Sequence, residues 1–199
     1  MNEYIFSNSI SGKEIKRIRN KCNLTQIRLA SFLNVTKKTI ERWESSKTEV
    51  TGPAVVLLKM LDDQPELVEY YEIPPRKTPL RIKYMCNDNI CTIIDVDEKE
   101  KEIKIRNYTK RYLYCAFGKK ENPTYEDYLN FLESRCFPRT RDKMKIILNQ
   151  LEIPYYDPML IIEKTKGKMA EDDFWLEIES DWRFNRIFFL FRIISRIQF

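Results

Sequence analysis

A short segment with three prolines divides this sequence into two parts with different residue patterns. Residues 74–79 read Pro-Pro-Arg-Lys-Thr-Pro. Proline fixes its own φ and restricts the residue before it, so helices and strands rarely continue through such a segment. Apolar residues recur at helical spacing before the segment and alternate as in strands after it. We therefore predict a helical domain over residues 1–73, a linker over 74–79 and a second domain over 80–180.

The N-terminal part predicts four helices and a short acidic fifth one. Each predicted start carries a capping side chain or a proline, the residues that helix N-termini favour. The starts are Ser11 in a capping box for a helix over 12–22, Thr25 for the second helix, Thr36 for a helix over 37–45, Pro53 for the fourth, and Pro65 for a helix that ends near Tyr71.

The part after the linker predicts an α+β domain with a small antiparallel sheet. Polar turns separate its strand-like runs, which is typical of a meander. The predicted strands are 80–84, 91–96, 102–106, 112–117 and 174–179, and the predicted helices run from Thr124 to about Ser134, from Thr140, and from Asp157-Pro158 to Gly167. The fold class expected for the chain is thus an all-α domain followed by an α+β domain.

The composition weakens the commonest enzyme chemistries. The chain has no histidine, only four glycines and no glycine-rich phosphate-binding motif. Histidine-based nucleophile systems and histidine metal sites are therefore excluded, and no other nucleophile and base are recognisable. The five cysteines form no C-x-x-C pair, which favours reduced thiols over a metal site. We expect no enzyme activity, no cofactor and no metal.

Charge is distributed unevenly along the chain. Residues 1–60 hold 11 basic and 5 acidic residues, whereas residues 61–72 hold five acidic and no basic ones. A basic block of this kind suits a polyanion-binding surface, and it equally suits a solvated, lysine-rich surface. The first ten residues have no basic stretch followed by an apolar one, and no apolar run is long enough to span a bilayer. We expect a cytoplasmic, nucleoid-associated protein.

The most informative stretch runs from Leu24 to Glu44. Two short helices joined by a tight turn form the helix-turn-helix unit that many DNA-binding proteins use. Ala30 is small where the two helices cross, and Val35 fills the turn. Ile40 and Trp43 are expected to anchor the third helix to the core. Similar helix pairs also occur in proteins that never touch DNA.

The remaining residues of this stretch are the predicted DNA contacts. Thr25 and Gln26 begin the second helix, whose N-terminus suits phosphate binding. On the outward side of the third helix, lysines can reach phosphates or guanine, glutamate can accept from cytosine, and arginine can pair with guanine. These outward residues are Thr36, Lys37, Lys38, Thr39, Glu41 and Arg42.

Residues 11–72 resemble the Xre/lambda-repressor type of helix-turn-helix regulators, and in particular antitoxin regulators of the HigA and MqsA kind. The matching motifs are Leu24-Thr25-Gln26, Val35-Thr36, Thr39-Ile40-Glu41-Arg42-Trp43-Glu44 and a helix that begins Gly52-Pro53-Ala54 and continues to Leu58. The resemblance implies a dimeric, sequence-specific DNA-binding protein of a toxin–antitoxin system. Double-stranded DNA, a second copy of the chain and a toxin-like protein are the partners that it implies.

The second domain carries weaker signals. Arg135, Arg139 and Arg141 are close in sequence and can hold an anion or a phosphorylated partner, or can pair with Glu133, Asp127 and Asp142, which we favour. Its order of elements resembles, in outline, the N-terminal subdomain of HipA-like kinases, through residues 131–141 and Asp157-Pro158 to Gly167. No kinase core follows. Residues 181–199 form an apolar, arginine-bearing tail, which we expect to pack against a domain or a partner.

Two functional hypotheses remain. The first is a sequence-specific transcriptional regulator, an autoregulating repressor of antitoxin type. The second is an antitoxin-like interaction module that neutralises a kinase-like or other toxin, with DNA binding secondary. A palindrome upstream of the gene favours the first hypothesis, and a neighbouring gene for a toxin-like protein favours the second.

Overall fold

The computed structural model describes residues 7–180, and the tail over 181–199 lies outside the described residues. The chain divides into two compact units, Met1–Pro74 and Pro75–Phe199, which we call the N-terminal and C-terminal units. The fold class predicted from the sequence is confirmed: a helical unit precedes an α+β unit with an antiparallel sheet.

Within residues 7–74 the N-terminal unit has five helices, and their positions follow the predicted caps closely. They are α1 Gly12–Lys21, α2 Gln26–Phe32, α3 Lys37–Ser45, α4 Pro53–Asp63 and α5 Leu67–Tyr71. Ser11 and Glu14 form the reciprocal hydrogen bonds of a capping box at the start of α1. Because the cap is a local feature, the sequence is sufficient to predict it. The core contains Ile15, Ile18, Leu29, Ile40, Leu58 and Leu61, all of them fully buried.

A two-stranded ribbon in this unit has no counterpart in the sequence prediction. Strand β1, Ser9–Ile10, pairs antiparallel with β2, Val50–Thr51. Two residues are too few for a period-two pattern to emerge, so such a strand leaves no sequence signal. Gly52 then adopts a φ of 103°, which glycine tolerates best, and Pro53 occupies the first turn of α4.

The C-terminal unit contains a four-stranded antiparallel sheet in the order β5-β4-β3-β6. Its strands are β3 Leu80–Cys86, β4 Asn89–Asp97, β5 Glu102–Asn107 and β6 Phe174–Ser180. The first three form the expected meander, and β6 returns beside β3. Three helices, α6 Tyr125–Ser134, α7 Met144–Gln150 and α8 Pro158–Thr165, supply the other half of the core. Tyr128, Ile82, Ile94 and Ile161 lie at its fully buried centre.

Two predictions for this unit are wrong in detail. Residues 112–117 were expected to form a strand, but Tyr112–Tyr114 is a 3₁₀ turn. Tyr114, Ala116 and Phe117 still pack against the core, so their alternating pattern reflects burial without sheet pairing. A helix was also expected from Thr140. The helix begins only at Met144, because a backbone turn joins Arg141 N–H to the Pro138 carbonyl and Lys143 then adopts a left-handed φ of 58°.

Candidate nucleic-acid interface

Threonine caps and a tight turn position α2 and α3. The Thr25 hydroxyl accepts from the Arg28 N–H at 3.2 Å, and the Thr36 hydroxyl accepts from the Thr39 N–H at 3.2 Å. Between the helices, Asn34 has a left-handed φ of 53°, a conformation that asparagine tolerates better than most residues. The Val35 N–H donates to the Ala30 carbonyl at 2.9 Å and closes the turn.

The core contacts leave one side of α3 facing outward. Ile40 is fully buried, and Trp43 packs against the core while half-buried, as the sequence predicted. Most of the predicted DNA-contact residues are exposed, whereas Gln26 and Thr39 are half-buried. The exposed ones are Thr25, Thr36, Lys37, Lys38, Glu41 and Arg42. The structure thus brings six of the predicted residues, Thr36 to Thr39 with Glu41 and Arg42, together on α3 and its cap.

Two pairs of charged side chains on α3 differ in their partners. Lys37 forms an ion pair with Glu41 at 2.9 Å, four residues further along the helix. Lys38 and Arg42 are also four residues apart and therefore share a face. Neither Lys38 nor Arg42 forms an ion pair with any residue between 7 and 180. Two neighbouring cations repel each other slightly in the free protein and suit an anionic ligand.

Glu44 anchors the C-terminal end of α3. Its carboxylate accepts from Arg19 Nε at 2.6 Å and from Gln26 Nε2 at 2.9 Å. Burial raises the pKa of Glu44, but the hydrogen bonds from Arg19 and Gln26 outweigh burial and leave the pKa below its ordinary value. Glu44 therefore stays ionised and connects α1, α2 and α3. Glu44 belongs to the Thr39–Glu44 motif, but its role could not be predicted because its partners Arg19 and Gln26 are distant in sequence.

Gly12 permits close packing at the same end of α3. A Cβ at Gly12 would overlap the Trp43 carbonyl oxygen and lie 2.9 Å from the Glu44 carbonyl oxygen. Only glycine fits this approach without moving a helix. The first turn of α1 thus holds the last turn of α3 in place, while the other end of α3 remains exposed.

The acidic segment 61–72 neutralises part of the basic block. Asp62 accepts from Arg17 at 2.6 Å and from Lys21 at 3.1 Å, and Glu72 binds Arg28 through both carboxylate oxygens at 2.7 Å. The hydrogen bond from Arg17 lowers the pKa of Asp62 to about 2, assisted by Lys21 and opposed by burial. The cations of this unit without an ion pair to any residue in the described range are Lys13, Lys16, Lys38, Arg42 and Lys47.

The three arginines of the C-terminal unit do not form an anion site together. Arg135 is buried, and it donates to Asp172 at 2.6 Å, to the Gly167 carbonyl at 2.8 Å and to the Phe174 carbonyl at 2.8 Å. This hydrogen bonding is the main cause of a lowered pKa at Asp172. Arg135 therefore joins α6 to the segment before β6. Its partner is Asp172, not one of the acidic residues that the sequence suggested.

Arg139 and Arg141 have separate environments. Arg139 pairs with Glu133 at 2.6 Å, one of the pairs expected from the sequence, and lies 4.5 Å from the centre of the Tyr156 ring. Arg141 lies 5.9 Å from the centre of the Phe137 ring. Among residues 7–180 no group of three or more cysteine, aspartate or glutamate side chains could hold a metal ion. No helix in that range is long and apolar enough to cross a membrane.

Comparison with known proteins places the similarity in the N-terminal unit. Residues 1–72 match the family model of the antitoxin component of the bacterial toxin–antitoxin system MqsA. The chain is also 34% identical, over 62 residues, to Antitoxin HigA-2 of Vibrio cholerae serotype O1. That match covers 31% of this chain and 60% of the relative's length. The N-terminal unit is therefore similar to antitoxin helix-turn-helix domains. The HipA-like outline of the C-terminal unit stays a prediction.

Proposed function

We propose that this chain is a sequence-specific DNA-binding regulator of antitoxin type, which represses its own gene as a dimer. The observation that carries the proposal is the exposed face of α3, where Lys38 and Arg42 have no carboxylate partner in the described structure. The similarity of residues 1–72 to MqsA and HigA-2 antitoxins supports it. Such a protein acts on the nucleoid, in the cytoplasm, and needs no catalytic group.

The proposed contacts follow from the geometry of the helix pair. Thr25 and Gln26 lie at the start of α2, where the backbone N–H groups of the helix N-terminus would position the DNA backbone. The Gln26 side chain is already bonded to Glu44, so it would act by holding α2 against α3. Lys38 and Arg42 can bind phosphate or guanine without breaking an ion pair, whereas Lys37 and Glu41 must first release each other. A dimer would present two copies of α3 to half-sites about 34–36 Å apart.

The first test is DNA binding by fluorescence anisotropy. The probes are a duplex from directly upstream of the gene and a scrambled duplex of the same composition, each over a range of salt concentrations. The double variant Lys38→Ala/Arg42→Ala should lose at least tenfold in affinity for the upstream duplex, since each good base contact contributes about 1–3 kcal/mol. Lys13→Ala/Lys16→Ala is the matched control, because it removes the same charge from exposed positions on α1.

The control variant should retain preference for the upstream duplex. An equal loss of affinity in both double variants would mean that the protein binds DNA only through general polyelectrolyte attraction. Unchanged binding by the α3 variant would contradict the assignment of α3 as the recognition helix.

A second candidate function, capture of a toxin-like protein, has its own structural support. A cleft of about 500 Å³ in the N-terminal unit is lined mainly by apolar side chains, including Leu24, Phe32, Leu57 and Tyr71. Val56 and Met60, four residues apart on α4, are also exposed, at 46% and 44%. Co-expression with the product of an adjacent toxin-like gene tests this function. Growth rescue that survives Lys38→Ala/Arg42→Ala but not Tyr71→Ser would favour the interaction module.

A further inference from the structure

The end of β5 and the segment that follows it in the C-terminal unit are strongly basic. Residues 106–120, which we call the basic loop, contain five cations and no carboxylate: Arg106, Lys110, Arg111, Lys119 and Lys120. The surrounding unit conceals this excess, because residues 73–180 hold 20 basic and 19 acidic residues. A positive stretch of this density inside a nearly neutral unit is a local feature that a domain-wide charge count does not detect.

Cations of the basic loop lie over tyrosine rings. Lys119 is 4.7 Å from the centre of the Tyr112 ring, and Arg111 is 5.8 Å from that of Tyr114. Lys120 differs, because it forms an ion pair with Asp127. A cation over a ring is held in place but keeps its full charge, whereas a carboxylate would neutralise it.

Other cations of the same unit show the contrast. Arg81 pairs with Asp95, Lys83 with Glu177 and Arg135 with Asp172. Lys110, Arg111 and Lys119 have no ion pair with any residue of the described range. These three side chains are also exposed. The positive charge of the basic loop is therefore available to a ligand.

The basic loop is built into the fold. Its 3₁₀ turn is followed by a hydrogen bond from the Ala116 N–H to the Thr92 hydroxyl at 3.1 Å. The Cys115 thiol donates to the Thr109 carbonyl at 3.7 Å, and Phe117 packs against Phe131 with ring centres 5.3 Å apart. The loop thus has a defined shape before any ligand binds, which reduces the ordering entropy that binding requires.

We propose that the basic loop is a second nucleic-acid-binding surface, which contacts the phosphates of duplex DNA. Lysine, arginine and tyrosine side chains all donate to phosphate oxygens, and each neutralised phosphate releases counterions. Tyr112 and Leu113, which are 49% and 76% exposed, would lie at the contact. Duplex DNA is preferred over an anionic lipid surface because the proposed function is DNA binding. The inference rests on the proposed function for this choice alone.

The experiment compares the unaltered chain with the variant Lys110→Ala/Arg111→Ala/Lys119→Ala for binding to a short random-sequence duplex. Binding is measured by anisotropy at several salt concentrations, and the slope of log K against log salt concentration is determined. Loss of three phosphate contacts should reduce that slope by about 2–3, since each contact contributes about 0.9. The matched control, Lys99→Ala/Lys145→Ala/Lys168→Ala, removes three exposed lysines of the same unit and should leave the slope unchanged.

Other arms of the experiment separate the possible outcomes. Lys110→Glu tests the loop without removing a ring contact, and it should lower affinity more than Lys145→Glu. Preference for the upstream duplex reports on α3 and the proposed function, whereas the salt slope reports on the basic loop, so either can fail alone. An unchanged slope in the triple variant, or no binding of duplex by the unaltered protein, overturns the inference. A third probe is vesicles of phosphatidylcholine and phosphatidylserine. If the triple variant loses binding to these vesicles but not to duplex DNA, the inference is overturned in favour of a lipid surface.

Discussion

Two regions of this molecule place basic side chains near the end of a helix and give them opposite surroundings. On α3, Lys38 in the first turn and Arg42 in the last turn are exposed and form no ion pair with the described residues. Just after α6, Arg135 is buried and donates to Asp172 and to the carbonyls of Gly167 and Phe174. The α3 cations can act on a ligand, while Arg135 is committed to the fold.

The contrast shows why clustered arginines are a weak functional signal by themselves. Arg135, Arg139 and Arg141 are nearly as close in sequence as the cations of α3, yet each has a different neighbourhood. The partner that decides the role of Arg135 lies 37 residues away at Asp172. On α3, by contrast, helix periodicity alone places Lys38 and Arg42 on one side, away from Ile40.

The largest effect is expected from Arg135→Ala. The substitution removes the Arg135 donor from the Gly167 and Phe174 carbonyls, and it leaves the Asp172 carboxylate with only the Phe174 N–H as a donor. We therefore expect the C-terminal unit to lose about 3 kcal/mol of stability. Urea denaturation of the full chain, followed by circular dichroism, measures this loss. Arg139→Ala is the matched control, because its ion pair is exposed and contributes at most about 1 kcal/mol. Similar losses in both variants would remove the distinction between the two arginines.

A smaller effect is expected from Glu44→Gln. The variant weakens the hydrogen bonds that connect α3 with Arg19 and Gln26, and it should destabilise the N-terminal unit by about 1–2 kcal/mol. Because the folded-state pKa of Glu44 is lowered, its contribution is present above its ordinary pKa of 4.5 and is lost as pH falls through the lowered value. The difference in free energy of unfolding between the two proteins should therefore be constant from neutral pH to about pH 4.5 and shrink below it. A difference independent of pH would contradict this account.

The local features of both units were predictable, and the long-range ones were not. Ser11, Thr25, Thr36, Thr124 and Asp157 all cap helices as expected, because a cap depends only on the next three residues. The pairing of Glu133 with Arg139 is similarly local. The Glu44 contacts and the Arg135 site depend on tertiary packing between distant residues, which the spacing of residues in one sequence does not predict. The 3₁₀ turn at residues 112–114 was missed because alternating burial occurs in irregular segments as well as in strands.

The smallest effect is expected on the stability of Lys38→Ala/Arg42→Ala. Both side chains are exposed, and removing two neighbouring cations relieves a repulsion of about 0.2–0.5 kcal/mol. Alanine is also the best helix former, so the free energy of unfolding should stay within about 0.5 kcal/mol of the unaltered protein or rise slightly. Urea denaturation measures this, and Lys37→Ala/Glu41→Ala, which breaks an ion pair on the same helix, should be the less stable variant. A marked loss of stability in Lys38→Ala/Arg42→Ala would mean that these cations support the fold as Arg135 does, and the contrast between the two regions would disappear.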